Sequence, residues 1–260
     1  MTTEQVNLTE ICENLRQLQR RRSVLLKSLN MNENRLVAAV RSHLGFNLEL
    51  SEDEKLANLK AARDLIKEVS RNEMEHPYGS IIMAMTVGMD ALKKEMKKIE
   101  DVMTDLAEQL PVAEWLSKPE QKGFGVLSLA KLIGETGDLN NYSNHSKVWA
   151  RMGLLPWVYD NKVQMGSTWK SKRNGSLPAE EWVRFGYCSR RRVEAHLLSK
   201  FILMSNKSIY RDEYTKEKTS FAARHPESKP MRAHLHALMM VPKLAIRNLW
   251  NEWTKREPTW

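Results

Sequence analysis

The chain has 260 residues, 28% of them charged, with 11 glycines and 9 prolines, enough for one large or two modest domains and too few turn residues for a β-rich fold. Its net charge of +9 is carried entirely by the second part: residues 1–110 hold 16 Lys/Arg against 18 Asp/Glu, and residues 111–260 hold 25 against 14 together with all eight tryptophans. Two cysteines, Cys12 and Cys188, form neither a disulfide framework nor a metal-binding spacing, and the basic excess points to a polyanionic partner such as nucleic acid.

The opening "MTTEQVNLTEICENL" is polar, and no uncharged run of about 18 residues follows. The expectation is a soluble, cytoplasmic protein with reduced thiols and no membrane partner. The first helical pattern places Leu8, Ile11, Leu15, Leu18, Arg22, Leu25, Leu29, Asn32, Leu36 and Ala39 on alternating steps of three and four, the spacing of a coiled-coil seam. Arg22 and Asn32 interrupt it, as polar residues do where register is specified. Gly45 ends this segment. In "SEDEKLANLKAARDLIKEV", Ser51 and Glu54 form a capping box that starts a second helix, which Pro77 closes. A third helix is predicted over about 79–110, with Ile82, Met85, Met89, Leu92, Met96, Ile99, Met103, Leu106 and Leu110 on a strict heptad pattern. Residues 1–110 therefore read as antiparallel helices or a dimerising coiled-coil arm, the expected seat of homo-oligomerisation.

Pro111 marks the predicted boundary to a second, basic helical domain over 111–260. Here short helices are broken by "KPEQKGFG", "ETGDLNNYSNHS", "MGLLPW" and "WKSKRNGSLP". Helical patterns resume at about 179–206, 208–223 and 230–253. The predicted fold class is all-α. There is no internal repeat or low-complexity segment.

The turn Gly123-Phe124-Gly125 immediately before "VLSLAKLIGETGDL" has two physical readings. Glycines there let two helices approach closely, or they leave the free N–H groups of a helix's first turn open to a phosphate. On the second reading the amides at Gly123, Gly125 and Val126 meet phosphate, Lys122 and Lys131 add charge, and Ser128 adds a hydroxyl. "WKSKRNG" sets Lys170, Lys172 and Arg173 beside Trp169, a pattern that suits a nucleic-acid backbone with occasional base stacking. Arg190, Arg191 and Arg192 are consecutive and so fan over more than half of a helix's circumference; they are further candidates for backbone contact. His234 and His236 stand at i,i+2 and diverge on a helix, so no metal site is expected. Tyr210 and Tyr214 read as packing residues, and Trp250, Trp253 and Trp260 as core and tail. No phosphate-binding loop, nucleophile elbow or zinc pattern is present in the sequence.

From 122 to 156 the order Gly-aromatic-Gly, "LSLAKLIGETGDL", Tyr142, a short helix through Trp149 and "MGLLP" resembles the C-terminal domain of transposases of the insertion sequence 110/116/902 family. "FGYCSRRRVEAHLLSKF" and "KPMRAHLHALMMVPKLAIRNLW" are similar to that domain's later helices. The resemblance implies a helix-hairpin-helix-containing domain that grips DNA backbone, in a bacterial or phage-encoded, nucleoid-associated protein. Structured RNA is a second implied partner, since family members use a guide RNA. Those that catalyse recombination also carry a RuvC-like domain whose acidic residues bind magnesium; residues 1–75 are helical and offer no strand for one. The family places a nucleophilic serine after the Gly-Leu-x-Pro stretch, and the nearest candidate here is Ser167 in Gln164-Met165-Gly166-Ser167. Three functions follow as expectations. The first is a nucleic-acid-binding protein without chemistry of its own and without a cofactor. The second is a partner-dependent recombinase using Ser167, with magnesium. The third is a scaffold protein of a mobile element or phage.

Overall fold

A computed structural model describes residues 3–72, 76–159, 162–164, 188–205 and 208–255. Among the described residues the fold is all-α apart from one short hairpin. Its helices are α1 (Thr3–His43), α2 (Glu52–Asn72), α3 (Gly79–Ala107), α4 (Ala113–Leu116), α5 (Val126–Thr136), α6 (His145–Arg151), α7 (Ser189–Met204), α8 (Ile209–Arg224) and α9 (Pro230–Thr254). Strands β1 (Trp157–Tyr159) and β2 (Lys162–Gln164) pair antiparallel, with Val158 opposite Val163. Sequence reading missed this hairpin, although two short β-prone runs separated by two residues are its usual signal.

The chain divides into two compact units, Arg20–Val102 and the combination of Met1–Gln19 with Met103–Trp260. Pro111 is therefore not where packing changes hands. The first turns of α1 and the last turn of α3 belong with the C-terminal unit.

In the unit 20–102, the heptad seams are used within the chain. Leu29, Leu36 and Val40 of α1, Ala62 and Val69 of α2, and Ile82 and Met89 of α3 form one apolar cluster, with Met85, Leu92 and Met96 packed against it. Removing such side chains from water is the main stabilising term, at roughly 25 cal/mol per Å². Helices α1 and α3 run antiparallel. Arg22 Nε donates to Glu100 at 2.7 Å near one end, and the His43 and Tyr78 rings lie 3.8 Å apart near the other. Arg22, itself buried, thus interrupts the seam in order to meet the partly buried Glu100 carboxylate, a contact that favours one register. Val40, rather than Ala39, turns inward, because a straight helix of 3.6 residues per turn drifts away from a 3.5-residue pattern. At the start of α2 the capping box closes in both directions: Ser51 N donates to Glu54 at 2.8 Å and Glu54 N donates to Ser51 Oγ at 3.3 Å.

In the other unit, α9 is the spine. It packs most extensively on α8, then on α7 and α6, and buries Ala233, Ala237, Leu238, Val241, Ala245, Ile246, Leu249, Trp250 and Trp253. Both indole N–H groups of its last turns are spoken for: Trp250 donates to the Tyr142 carbonyl at 3.2 Å and Trp253 to Asp138 at 3.0 Å. The Gly-Asp-aromatic pattern after α5 is accordingly an anchor for α9. Its Asp138 side chain also accepts from Asn140 N at 2.9 Å, and the Tyr142 hydroxyl donates to the Thr136 carbonyl at 2.8 Å. Among the described residues, no helix is long and apolar enough to cross a membrane.

Candidate nucleic-acid interface

The Gly-Phe-Gly turn splits into three different jobs. Phe124 is buried and meets Trp115 edge-on, with ring centroids 6.3 Å apart. The preceding loop is pinned by Gln121, itself buried, whose side-chain oxygen accepts the Tyr210 hydroxyl. Tyr210 is fully buried, and burial pushes its phenol up to about 12, so the reading of Tyr210 as a packing residue holds. Gly123 has φ +93° and abuts α7: a Cβ there would come within 2.7 Å of Ile202 Cα and 3.0 Å of the Phe201 and Ile202 carbonyl oxygens. Both conformation and space demand glycine at that position.

Gly125 is different. It is the N-cap of α5 with φ −76° and ψ 161°, an extended backbone open to any residue, and a Cβ would meet nothing within 4 Å. Its carbonyl accepts Ser128 N at 2.9 Å and Leu129 N at 3.1 Å, but no side chain caps the first turn. The amides of Val126 and Leu127 come before Ser128 N, the first N–H to donate to the Gly125 carbonyl, and so have no intrahelical acceptor. They lie at the positive end of an 11-residue helix, with exposed Lys122 on the approach. Ser128 and Lys131 face elsewhere. They line a narrow crevice against α7 with Glu194, Leu198 and Phe201, whose free space of about 10 Å³ is too small for a phosphate.

The three arginines at the start of α7 each have a partner within the protein. Glu135, on α5, has a side chain only 1% exposed. It takes a two-pronged pair from Arg190, Nε at 2.8 Å and Nη2 at 3.0 Å, and accepts Gln19 Nε2 at 3.0 Å. Arg191 Nε lies 3.5 Å from the same carboxylate. Burial opposes the charge on Arg190, and the hydrogen bond and charge of Glu135 outweigh it, so its pKa is held above the ordinary guanidinium value. Arg191 is pulled below that value, by burial first and then by Arg151. Arg192 donates to the Gly153 carbonyl at 2.6 Å. Arg190 keeps 43% of its side chain exposed and can present its outer edge to a ligand.

Gln19 and Glu135 were missed by sequence reading. Gln19 falls one residue off the predicted seam. Glu135 sits in a stretch matched for its glycines, and its meaning appears only when α1, α5 and α7 converge. Gly134 permits that convergence, since a Cβ there would lie 2.6 Å from Gln19 Cβ and 2.9 Å from the Leu15 carbonyl oxygen. Ser167, Trp169, Lys170, Lys172 and Arg173 lie outside the described residues, as does Trp260. His234 and His236 diverge as the i,i+2 spacing requires: His234 Nδ1 is 2.6 Å from the Tyr214 hydroxyl, and His236 stacks on Phe221. Among the described residues, no group of three or more His, Cys, Asp or Glu could hold a metal ion.

No family model, no curated protein and no solved structure matches this chain.

Proposed function

We propose that this protein binds nucleic acid through the phosphate backbone, with the first turn of α5 as the gripping element and Lys122 adding charge there, while the outer edge of Arg190, held at the other end of α5 by Glu135, meets a different phosphate of the same backbone. The observation that carries this reading is Gly125. Its extended backbone suits any residue and its Cβ position is open. A serine or aspartate would cap the helix there and stabilise it. Glycine leaves the amides bare, at the positive end of a helix and in a half of the chain with net charge +11. Backbone contact of this kind positions a ligand without reading its sequence, in the manner of the helix-hairpin-helix modules of transposase C-terminal domains.

The test separates binding from folding. Gly125→Asp supplies the missing cap, so stability is unchanged or a few tenths of a kcal/mol higher, while its carboxylate occupies the amides and repels phosphate. Binding to labelled duplex DNA, single-stranded DNA and a structured RNA is measured across a salt series. The expected result is a steep salt dependence for the wild type and at least about tenfold weaker binding for Gly125→Asp at low salt. Equal binding by both proteins would sink the assignment of the α5 turn. No binding by the wild type would remove the nucleic-acid reading altogether and leave a scaffold role.

A further inference from the structure

A second basic feature lies on elements that the α5 turn does not use. On α9, Met240, Lys243, Leu244 and Arg247 recur at i, i+3, i+4 and i+7 and so form one row. With Trp149 of α6 and Glu213 of α8, that row lines an open groove of about 310 Å³, near the lower end for small-molecule sites.

The framework of the groove is fixed. Helix α6 is capped by Asn144, whose side chain accepts Lys147 N at 3.1 Å. The Trp149 indole N–H donates to the Lys243 carbonyl at 2.9 Å, which ties α6 to α9 and sets the plane of the ring. His145 meets Trp149 edge-on at 4.5 Å, supporting it from its own helix. The Lys243 ammonium lies 5.9 Å from the indole centroid.

The charges of the groove are unbalanced. Glu213 is the one carboxylate among its lining residues, and its side chain reaches toward Lys216 on its own helix at 4.0 Å. No described carboxylate lies within salt-bridge distance of Lys243 or Arg247. Burial and the charge of Arg192 both push the Lys243 ammonium below its ordinary range, and Arg247 adds to the burial that lowers His145. Two half-buried cations with a single carboxylate in the groove, and that one outside salt-bridge distance of both, cost folding free energy, and an anion in the groove would offset that cost. A phosphate alone would leave Trp149 unused. An aromatic face beside two cations matches a nucleotide, whose base stacks while its phosphate is held.

We infer that the groove formed by Trp149, Lys243 and Arg247 binds a nucleoside phosphate, with the phosphate between Lys243 and Arg247 and the base against Trp149. The same chemistry is offered by a free mononucleotide and by one nucleotide of a single strand. The site shares no residue with the α5 turn and stands independently of it.

The full-length chain is titrated calorimetrically with AMP, with adenosine and with a short single-stranded oligonucleotide. Arg247→Gln removes a half-buried charge that has no described carboxylate partner and is expected to fold; circular dichroism checks this, and Lys243→Gln serves as the second variant. The expected result is saturable AMP binding, adenosine at least about tenfold weaker, and at least about tenfold loss of AMP affinity in either variant. Binding of the oligonucleotide that falls in Arg247→Gln but not in Gly125→Asp, without measurable AMP binding, would assign the same site to a nucleotide within a strand. Equal affinities for adenosine and AMP, wild-type affinity in both variants, or no heat with any ligand up to about 10 mM would overturn the inference.

Discussion

Replacing Glu135 tests how the C-terminal unit is held together. Its carboxylate is almost completely enclosed and receives three good donor contacts, two from Arg190 and one from Gln19, with Arg191 close by. Breaking a buried ion pair by removing one partner typically costs 3–5 kcal/mol, because the other charge stays behind. Here the figure is discounted. Arg190 is 43% exposed and can swing to water, whereas Arg191, 15% exposed, and the buried amide of Gln19 cannot. For Glu135→Leu the expected loss is about 2–4 kcal/mol. Glu135→Gln keeps the volume and one acceptor and should lose about 1–3 kcal/mol. For a unit of this size each kcal/mol lowers Tm by roughly 2–4 °C. Urea unfolding followed by circular dichroism reads the change as a shift in midpoint at constant slope. A double-mutant cycle with Arg190→Met should return a coupling of about 1–2 kcal/mol. Both Glu135 variants within about 0.5 kcal/mol of wild type, or strict additivity with Arg190→Met, would refute the argument that this carboxylate is the hub joining α1, α5 and α7.

The two glycines of the turn should separate cleanly: Gly123→Ala meets the α7 backbone and is expected to lower the thermal midpoint by several degrees, whereas Gly125→Asp leaves it unchanged or slightly raised. Cys12 is buried and its thiol is pushed up to about 12 by burial, so in the native protein at pH 8 a thiol reagent should label half-buried Cys188 and reach Cys12 only on unfolding. Mass spectrometry of the labelled chain checks this, and rapid native labelling of Cys12 would contradict its placement. His145 and His196 are both depressed, by burial first and then by neighbouring cations, Arg247 for the former and Lys200, Arg192 and His234 for the latter. The unfolded chain therefore binds protons more readily there. The contribution of these histidines is fully present above their ordinary value of 6.5 and is lost as pH falls through the lower native values. The urea midpoint of the wild type should drop between about pH 7.5 and pH 5.5, and by less in a His145→Gln, His196→Gln double variant.

Local chemistry was enough to place most helices. The apolar spacing of α1 and α3, the Ser51–Glu54 box and the stops at Gly45 and Pro77 depend on residues a few positions apart, and the interactions they encode form within one element. Burial of Trp250 and Trp253 followed from the same kind of pattern along α9. What distance along the chain concealed was which residues are used up by others. Arg190, Arg191 and Arg192 read as a free basic run until Glu135, 55 positions away from Arg190, takes the first as its partner and the Gly153 carbonyl takes the third. Gly123 and Gly125 are the same residue type two positions apart, yet one lies against the backbone of Ile202 and the other faces open space. Nothing in the spacing of α9 sets Lys243 and Arg247 apart from its other polar residues; Trp149 and Glu213, from two other helices, complete the groove that they line. The sequence alone determined that this is a helical chain whose positive charge gathers in its second half, because periodicity and charge are properties of the residues themselves. Only tertiary structure decided which charges are neutralised and which glycine is exposed, because pairing and free space depend on which distant segments the fold brings within a few ångströms.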